Sequence, residues 1–190
     1  MTRAFSRAMP KPEKSELFDL FAEDLLAERG ARPLVIVGAS KIDHLLSEIL
    51  RGFFLPKSAR GNNQDELLEG DNPLATFSAR IKICRRLGLI DETLYRTLER
   101  LRTLRNLSAH SLEFNTARPP AREHVSELRA LISTRRSFRL TRSRYFEGDR
   151  LQSIEELQCL LLTLCVLLEA IREKIGRTTG NEAALSIAAR

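Results

Sequence analysis

Tryptophan is absent from this chain, and two tyrosines and nine phenylalanines are all its aromatic residues. Leucine and arginine dominate instead, a mixture that favours helices over sheets. No sustained period-two alternation and no strand–helix–strand rhythm appears, which argues against a sheet. Cysteine is scarce as well. Cys84, Cys159 and Cys165 are odd in number, lack C-x-x-C spacing and sit in apolar runs. Neither a disulfide framework nor a zinc site is indicated, and a reducing cytoplasm fits best. His44, His110 and His124 are dispersed, so no metal is expected. There is no glycine-rich phosphate loop and no other cofactor motif, so no cofactor is expected. The N-terminus lacks the apolar segment of a signal peptide. The longest apolar run, Leu160 to Leu168, is too short to span a bilayer, so the expectation is a soluble cytoplasmic protein without membrane contact.

What is present is charge, unevenly placed. The 190 residues carry a net charge of +6. Between Glu127 and Glu147 there is no acidic residue, yet Arg129, Arg135, Arg136, Arg139, Arg142 and Arg144 all fall there. That segment alone accounts for the whole excess. Within it, Arg135, Arg136, Arg139, Arg142 and Arg144 interleave with Phe138, Tyr145 and Phe146. This combination can follow phosphates and stack bases. The other reading, and the one favoured, is a loop or strand-like crossover whose aromatics tuck into the fold while its arginines face water or a partner.

Hydrophobic spacing predicts an all-α antiparallel bundle of six to seven helices. Residues 1–15 read as a loose basic arm, 16–176 as a single helical domain and 177–190 as a frayed tail, in which Ala183 to Ala189 could add a short helical turn. Ser15 should cap a first helix ended by Gly30, and Pro33 should open a second that runs to Leu55 before Pro56. Lys57 to Asn63 reads as a loop, with a helical turn or two from Gln64 to Glu69. Thr76 or Ser78 should start a third main helix closed by Gly88. Asp91 should cap a fourth reaching His110, and a fifth should run from Ala121 to Thr134. A long amphipathic helix is predicted from Leu151 to Ile175. It is apolar over more than half its girth, which points to core or to a homodimer seam.

Two charges fall on apolar stripes. The helix before His110 carries Leu94, Leu98 and Leu101 at buried spacing, and the next place falls to Arg105. A guanidinium is rarely buried without a partner, so Arg105 calls for an internal ion pair, a subunit interface or a bound anion. Asp43 interrupts the stripe Val35, Ile36, Ala39, Leu46, Leu50 in the same way. An ion pair between Asp43 and Arg105 is the economical expectation.

Three blocks carry a family likeness: GASKIDHLLSEILRGFF (38–54), NPLATFSARIKICRRLGLID (72–91) and LERLRTLRNLSAHS (98–111). They resemble the mannitol repressor (MtlR) family of bacterial proteins over residues 30–132. The middle block, with Phe77-Ser78-Ala79-Arg80-Ile81-Lys82 before Leu87-Gly88-Leu89-Ile90, is the most specific. The resemblance implies an all-helical fold and a regulatory role, repression of a mannitol uptake operon, with no known DNA-binding module. Only the class of function is carried over, and the expectation is a non-catalytic, homodimeric regulator that acts mainly through contacts with a protein partner. The basic arm, the arginine-rich segment and the long last helix depart from the family pattern.

The string Arg105-Asn106-x-x-x-His110 also resembles the HEPN superfamily of helical ribonucleases and toxins, which cleave RNA without metal across a dimer. Carried over, Arg105 would stabilise the scissile phosphate, His110 would act as acid or base, and Asn106 would orient it. In a continuous helix Arg105 and His110 lie roughly 140° apart, and they converge only if the helix ends near Ala109. A helix-turn-helix over Ser78 to Asn106 is a further reading. Its second helix would present Glu92, Thr93 and Tyr95 to the bases, which suits DNA poorly.

Overall fold

A computed structural model describes residues 14–54, 65–148 and 150–178. Seven helices are found in these stretches, and no strands: α1 (Lys14–Ala27), α2 (Ala31–Phe53), α3 (Phe77–Arg86), α4 (Glu92–His110), α5 (Ala121–Ile132), α6 (Arg136–Tyr145) and α7 (Ser153–Thr178). The all-α reading holds. Most of the expected arm, the loop from Lys57 to Asn63 and the tail beyond 178 lie outside the described residues.

The local signals act where their chemistry allows. The Thr76 hydroxyl accepts the Ala79 N–H at 3.2 Å, and the Asp91 carboxylate accepts the Leu94 N–H at 2.7 Å. Each cap satisfies one of the donors that a helix start leaves open. Between them Gly88 adopts φ +70°, a left-handed turn that a Cβ would strain. Pro33 lies in the first turn of α2, where its missing N–H costs no bond. Ser15 falls within α1 rather than before it.

The last helix is the centre of the molecule. Every residue from Leu157 to Cys165 is buried, and nine consecutive residues cover the full circumference of a helix. A helix apolar all round belongs in a core, and α7 packs most extensively against α2. The girth that pointed to core or to a homodimer seam is thus taken up inside the chain from Leu157 to Cys165. Two polar side chains enter this core with their bonds made. The Gln158 amide donates to the Leu25, Leu26 and Glu28 carbonyls at 3.0–3.1 Å, closing the C-terminal end of α1. The Thr163 hydroxyl donates to the Cys159 carbonyl at 2.7 Å.

The arginine-rich segment is neither a loop nor a strand-like crossover. It folds as α6, with Phe138 and Thr141 buried and Arg136, Arg139, Leu140 and Ser143 exposed. Positions 138 and 141 repeat at helical spacing, so one apolar face was enough to hold it against α7.

All three cysteines are free and buried. Burial raises the Cys84 and Cys165 thiols to about 12 and the Cys159 thiol to about 11, which removes the reactive thiolate at neutral pH.

The contact of α2 with α7 is close at Gly38, where a Cβ would lie 2.7 Å from Leu161 Cδ1 and 2.8 Å from Cδ2. Leu161 is fully enclosed, so it can yield only by disturbing its neighbours. Gly38→Val is expected to destabilise the fold by about 1–3 kcal/mol in urea unfolding. Gly38→Ala should cost less, because alanine returns up to ~1 kcal/mol of helix propensity. Equal stability of Gly38→Val and the parent would show that the contact is not tight.

Candidate functional site

Asp43 takes its partner from α3. The Arg80 guanidinium donates to Asp43 Oδ1 at 2.7 Å, to the Leu68 carbonyl at 2.7 Å and to the Leu74 carbonyl at 3.0 Å. Its side chain is only 12% exposed, and these three acceptors replace the water it has lost. The expected pair of Asp43 with Arg105 is thereby corrected. The reason lies in α4, whose buried line runs Leu94, Thr97, Leu98, Leu101, Leu104 and Ser108. Leu104, not Arg105, takes the inward place after Leu101. Arg105 stands at the edge of the stripe and is exposed, and its guanidinium makes only a long 3.4 Å contact to Asn106 Oδ1 among the described residues. The signal that singled out Arg105 was equally present at Arg80, which shares a helix with the apolar Phe77, Ile81 and Cys84. Sequence reasoning passed over it.

Arg105 and Asp43 do share one place. Ala39, Ser40 and Asp43 of α2, Thr76, Phe77 and Ser78 at the start of α3, and Arg102, Arg105 and Asn106 of α4 enclose a cleft of about 330 Å³. Its charges are unequal. Asp43 is engaged by Arg80, and Arg102 is held by Glu99 Oε2 at 2.9 and 3.3 Å. Arg105 has no carboxylate within ion-pair distance among the described residues. The Phe77 and Ser78 N–H groups have no protein acceptor among the described residues, because the Thr76 cap serves Ala79. The cleft is therefore electropositive and rich in donors.

His110 is not brought to this cleft. Helix α4 continues through His110, which is exposed at its last turn, so the condition for convergence with Arg105 is not met within one chain. A cation suits that end of a helix, where carbonyls are left over. The Arg32 side chain reaches across from α2 to donate to the Ser111 and Leu112 carbonyls at 2.7 and 2.8 Å, securing the chain as it leaves α4. Asn106 is half-buried between the two candidate roles, lining the cleft beside Arg105. Among the described residues, no group of three His, Cys, Asp or Glu side chains could hold a metal ion.

The five arginines of the basic segment are divided. Arg135 grips both oxygens of Asp91 at 2.8 Å, Arg142 donates to the Gly148 carbonyl at 3.0 Å, and Arg144 meets Asp19 at 3.3 Å. Arg136 and Arg139 project from the outer face of α6 on either side of buried Phe138. A helix-turn-helix role for α3 and α4 is poorly served, since α4 packs against α2, α3 and α5. Its first turn is acidic and already engaged, by Arg135 on Asp91 and by Arg85 on Glu92. Among the described residues, no helix is long and apolar enough to cross a membrane.

The fold has counterparts among solved structures. A possible transcriptional regulator, YggD, from Shigella flexneri superposes with a TM-score of 0.61 at 14% identity, covering 81% of this chain and 98% of that one. A chain of the MtlR–HPr complex from Escherichia coli superposes with a TM-score of 0.58 at 19% identity, covering 83% of this chain and 99% of that one. At these identities the likeness is one of fold. No family model and no curated protein matches the chain by sequence.

Two outcomes test the ion pairs. Arg80→Met is expected to cost about 2–4 kcal/mol, somewhat below a fully buried pair because Asp43 keeps 30% exposure. Arg105→Leu should stay within about 0.5 kcal/mol. A double-mutant cycle should find coupling between Asp43→Asn and Arg80→Met and none between Asp43→Asn and Arg105→Leu; the opposite pattern would restore the original pairing.

The second outcome concerns acid. Burial pushes the Asp91 carboxyl up, but the Arg135 guanidinium and the Leu94 and Thr93 amides outweigh it, so its pKa sits below the ordinary value. A group depressed by folding stabilises above its unfolded pKa and loses that contribution as pH falls through its folded pKa. Parent protein should thus lose stability below the usual aspartate range. Arg135→Gln should narrow the difference between unfolding at neutral pH and at about pH 3. An unchanged difference would mean that the Arg135 contact does not persist in solution.

Proposed function

We propose that this chain is a non-catalytic transcriptional regulator that works through contacts with a partner protein. The observation that carries this reading is the fold likeness to the MtlR–HPr complex chain, which takes in nearly all of that chain and most of this one. The second neighbour is described as a possible transcriptional regulator, in the same functional class. The three blocks that resemble the mannitol repressor family, from Gly38 to Ser111, lie on α2, α3 and α4, the helices that wall the cleft.

Geometry supports binding over chemistry. The residues that a HEPN-type ribonuclease would need do not converge within the chain, since α4 holds Arg105 and His110 on different faces. Helix α4, the second helix of the helix-turn-helix reading, is packed by three neighbours and is not free to enter a groove. The exposed Arg136 and Arg139 of α6 offer a charged outer face for an acidic partner surface or for nucleic acid. Such a face contributes mostly to association rate and is weakened by salt.

The first partner to try is HPr, because the neighbouring complex contains it. Calorimetric titration of the purified chain with HPr should give saturable binding with a Kd on the order of micromolar, as for transient regulatory contacts. RNA incubated in EDTA should stay intact with parent protein. Cleavage that disappears in His110→Ala would overturn the non-catalytic reading and establish the ribonuclease.

A further inference from the structure

We infer that the cleft between α2, α3 and α4 is a binding site for a small oxyanion, a phosphate or carboxylate group carried by a metabolite-sized molecule. The inference begins with a cation that the fold leaves unanswered. Arg105 lines the cleft with no carboxylate partner among the described residues and only a long contact to Asn106. The one acid in the wall, Asp43, is neutralised from behind by Arg80 at 2.7 Å and does not compete for Arg105. Arg102 adds a second guanidinium, partly drawn off by Glu99.

The rest of the wall suits the same ligand. Asn106 and Ser78 line the same cleft as Arg105 and bring an amide and a hydroxyl to its wall, while Phe77 and Ala39 line it with apolar side chains. The N–H groups of Phe77 and Ser78, left open beside the Thr76 cap, add donors to those of the side chains. A planar guanidinium matches the paired oxygens of phosphate or carboxylate, and converging donors on an apolar wall fix a ligand's orientation. A concavity of about 330 Å³ is at the small end of ligand sites and takes a metabolite rather than a peptide segment.

This site stands apart from the regulatory reading, because it is tested on the purified chain with no partner present. Two-dimensional proton–nitrogen spectra are recorded at low salt during titration with inorganic phosphate, glycerol 3-phosphate and succinate. Saturable shifts are expected at the Phe77 and Ser78 backbone amides and the Asn106 side-chain amide. Arg105→Gln, exposed and harmless to folding, should weaken binding by about tenfold or more, as loss of a charge-assisted fork requires. Arg122→Gln, a surface arginine on α5 outside the cleft, should leave it unchanged. Response to the two phosphates alone identifies a phosphate ligand, and response to succinate alone identifies a carboxylate; either upholds the site. No saturable shift with any of the three, or equal binding by the parent and Arg105→Gln, overturns it.

Discussion

Arg80 is the side chain on which the arrangement of this fold's cleft depends. A guanidinium cannot shed its charge at any ordinary pH, so once hidden it must find acceptors for most of its five donors. It finds them at three separate points: Asp43 on α2, the Leu74 carbonyl just ahead of α3, and the Leu68 carbonyl in the turns between α2 and α3. Among the described residues of those turns, Leu68 is buried and Leu74 packs against the core. The arginine therefore ties an irregular segment to two helices, and it sets the height and direction of the first turn of α3. Such a cluster contributes modest net stability against its apolar equivalent, but it rejects alternative packings that would strand the charge.

The same contact decides what the cleft can be. Asp43 and Arg105 line the same cleft, and the Asp43 carboxylate is engaged by Arg80. Because Arg80 satisfies Asp43 from behind, Arg105 is left facing outward with the unpaired amides of α3 beside it. One arginine thus acts structurally so that another can remain available. The distinction is one of surroundings and not of residue type. Both arginines belong to helices whose apolar residues recur at buried spacing, yet Arg80 meets three acceptors and Arg105 meets water.

That distinction marks where the sequence stops being informative. Helix starts at Thr76 and Asp91, the turn at Gly88 and the stop at Phe53 before Pro56 are written in short-range chemistry, and the structure places them within a few residues of expectation. The apolar girth of α7 was equally legible, but its meaning was not, since core and subunit seam bury the same residues. Helix α6 was obscured by six arginines nearby, although Phe138 and Thr141 already marked one face. Which arginine meets Asp43 depends on the lateral order of helices, and periodicity along one helix carries no information about its neighbours. Leu104 displaced Arg105 from the core because a buried stripe can advance by three residues as readily as by four.

The distribution of apolar surface bears on how a partner could bind. Among the described residues, the large hydrophobic side chains that remain exposed are Leu20 on α1, Ile36, Val37 and Phe53 on α2, Leu67 in the turns that follow, Leu87 at the end of α3, Leu112 after α4 and Leu140 on α6. The residues that would have made the most adhesive face are all consumed by α7 within the chain. Beside these side chains a docking partner meets charged positions of opposite sign, with Asp19, Glu23 and Asp24 exposed on α1 and Arg136 and Arg139 exposed on α6. Recognition built on such faces gains more in encounter rate and selectivity than in strength. Contacts of that kind form and release readily, which is the behaviour the proposed partner-binding role requires.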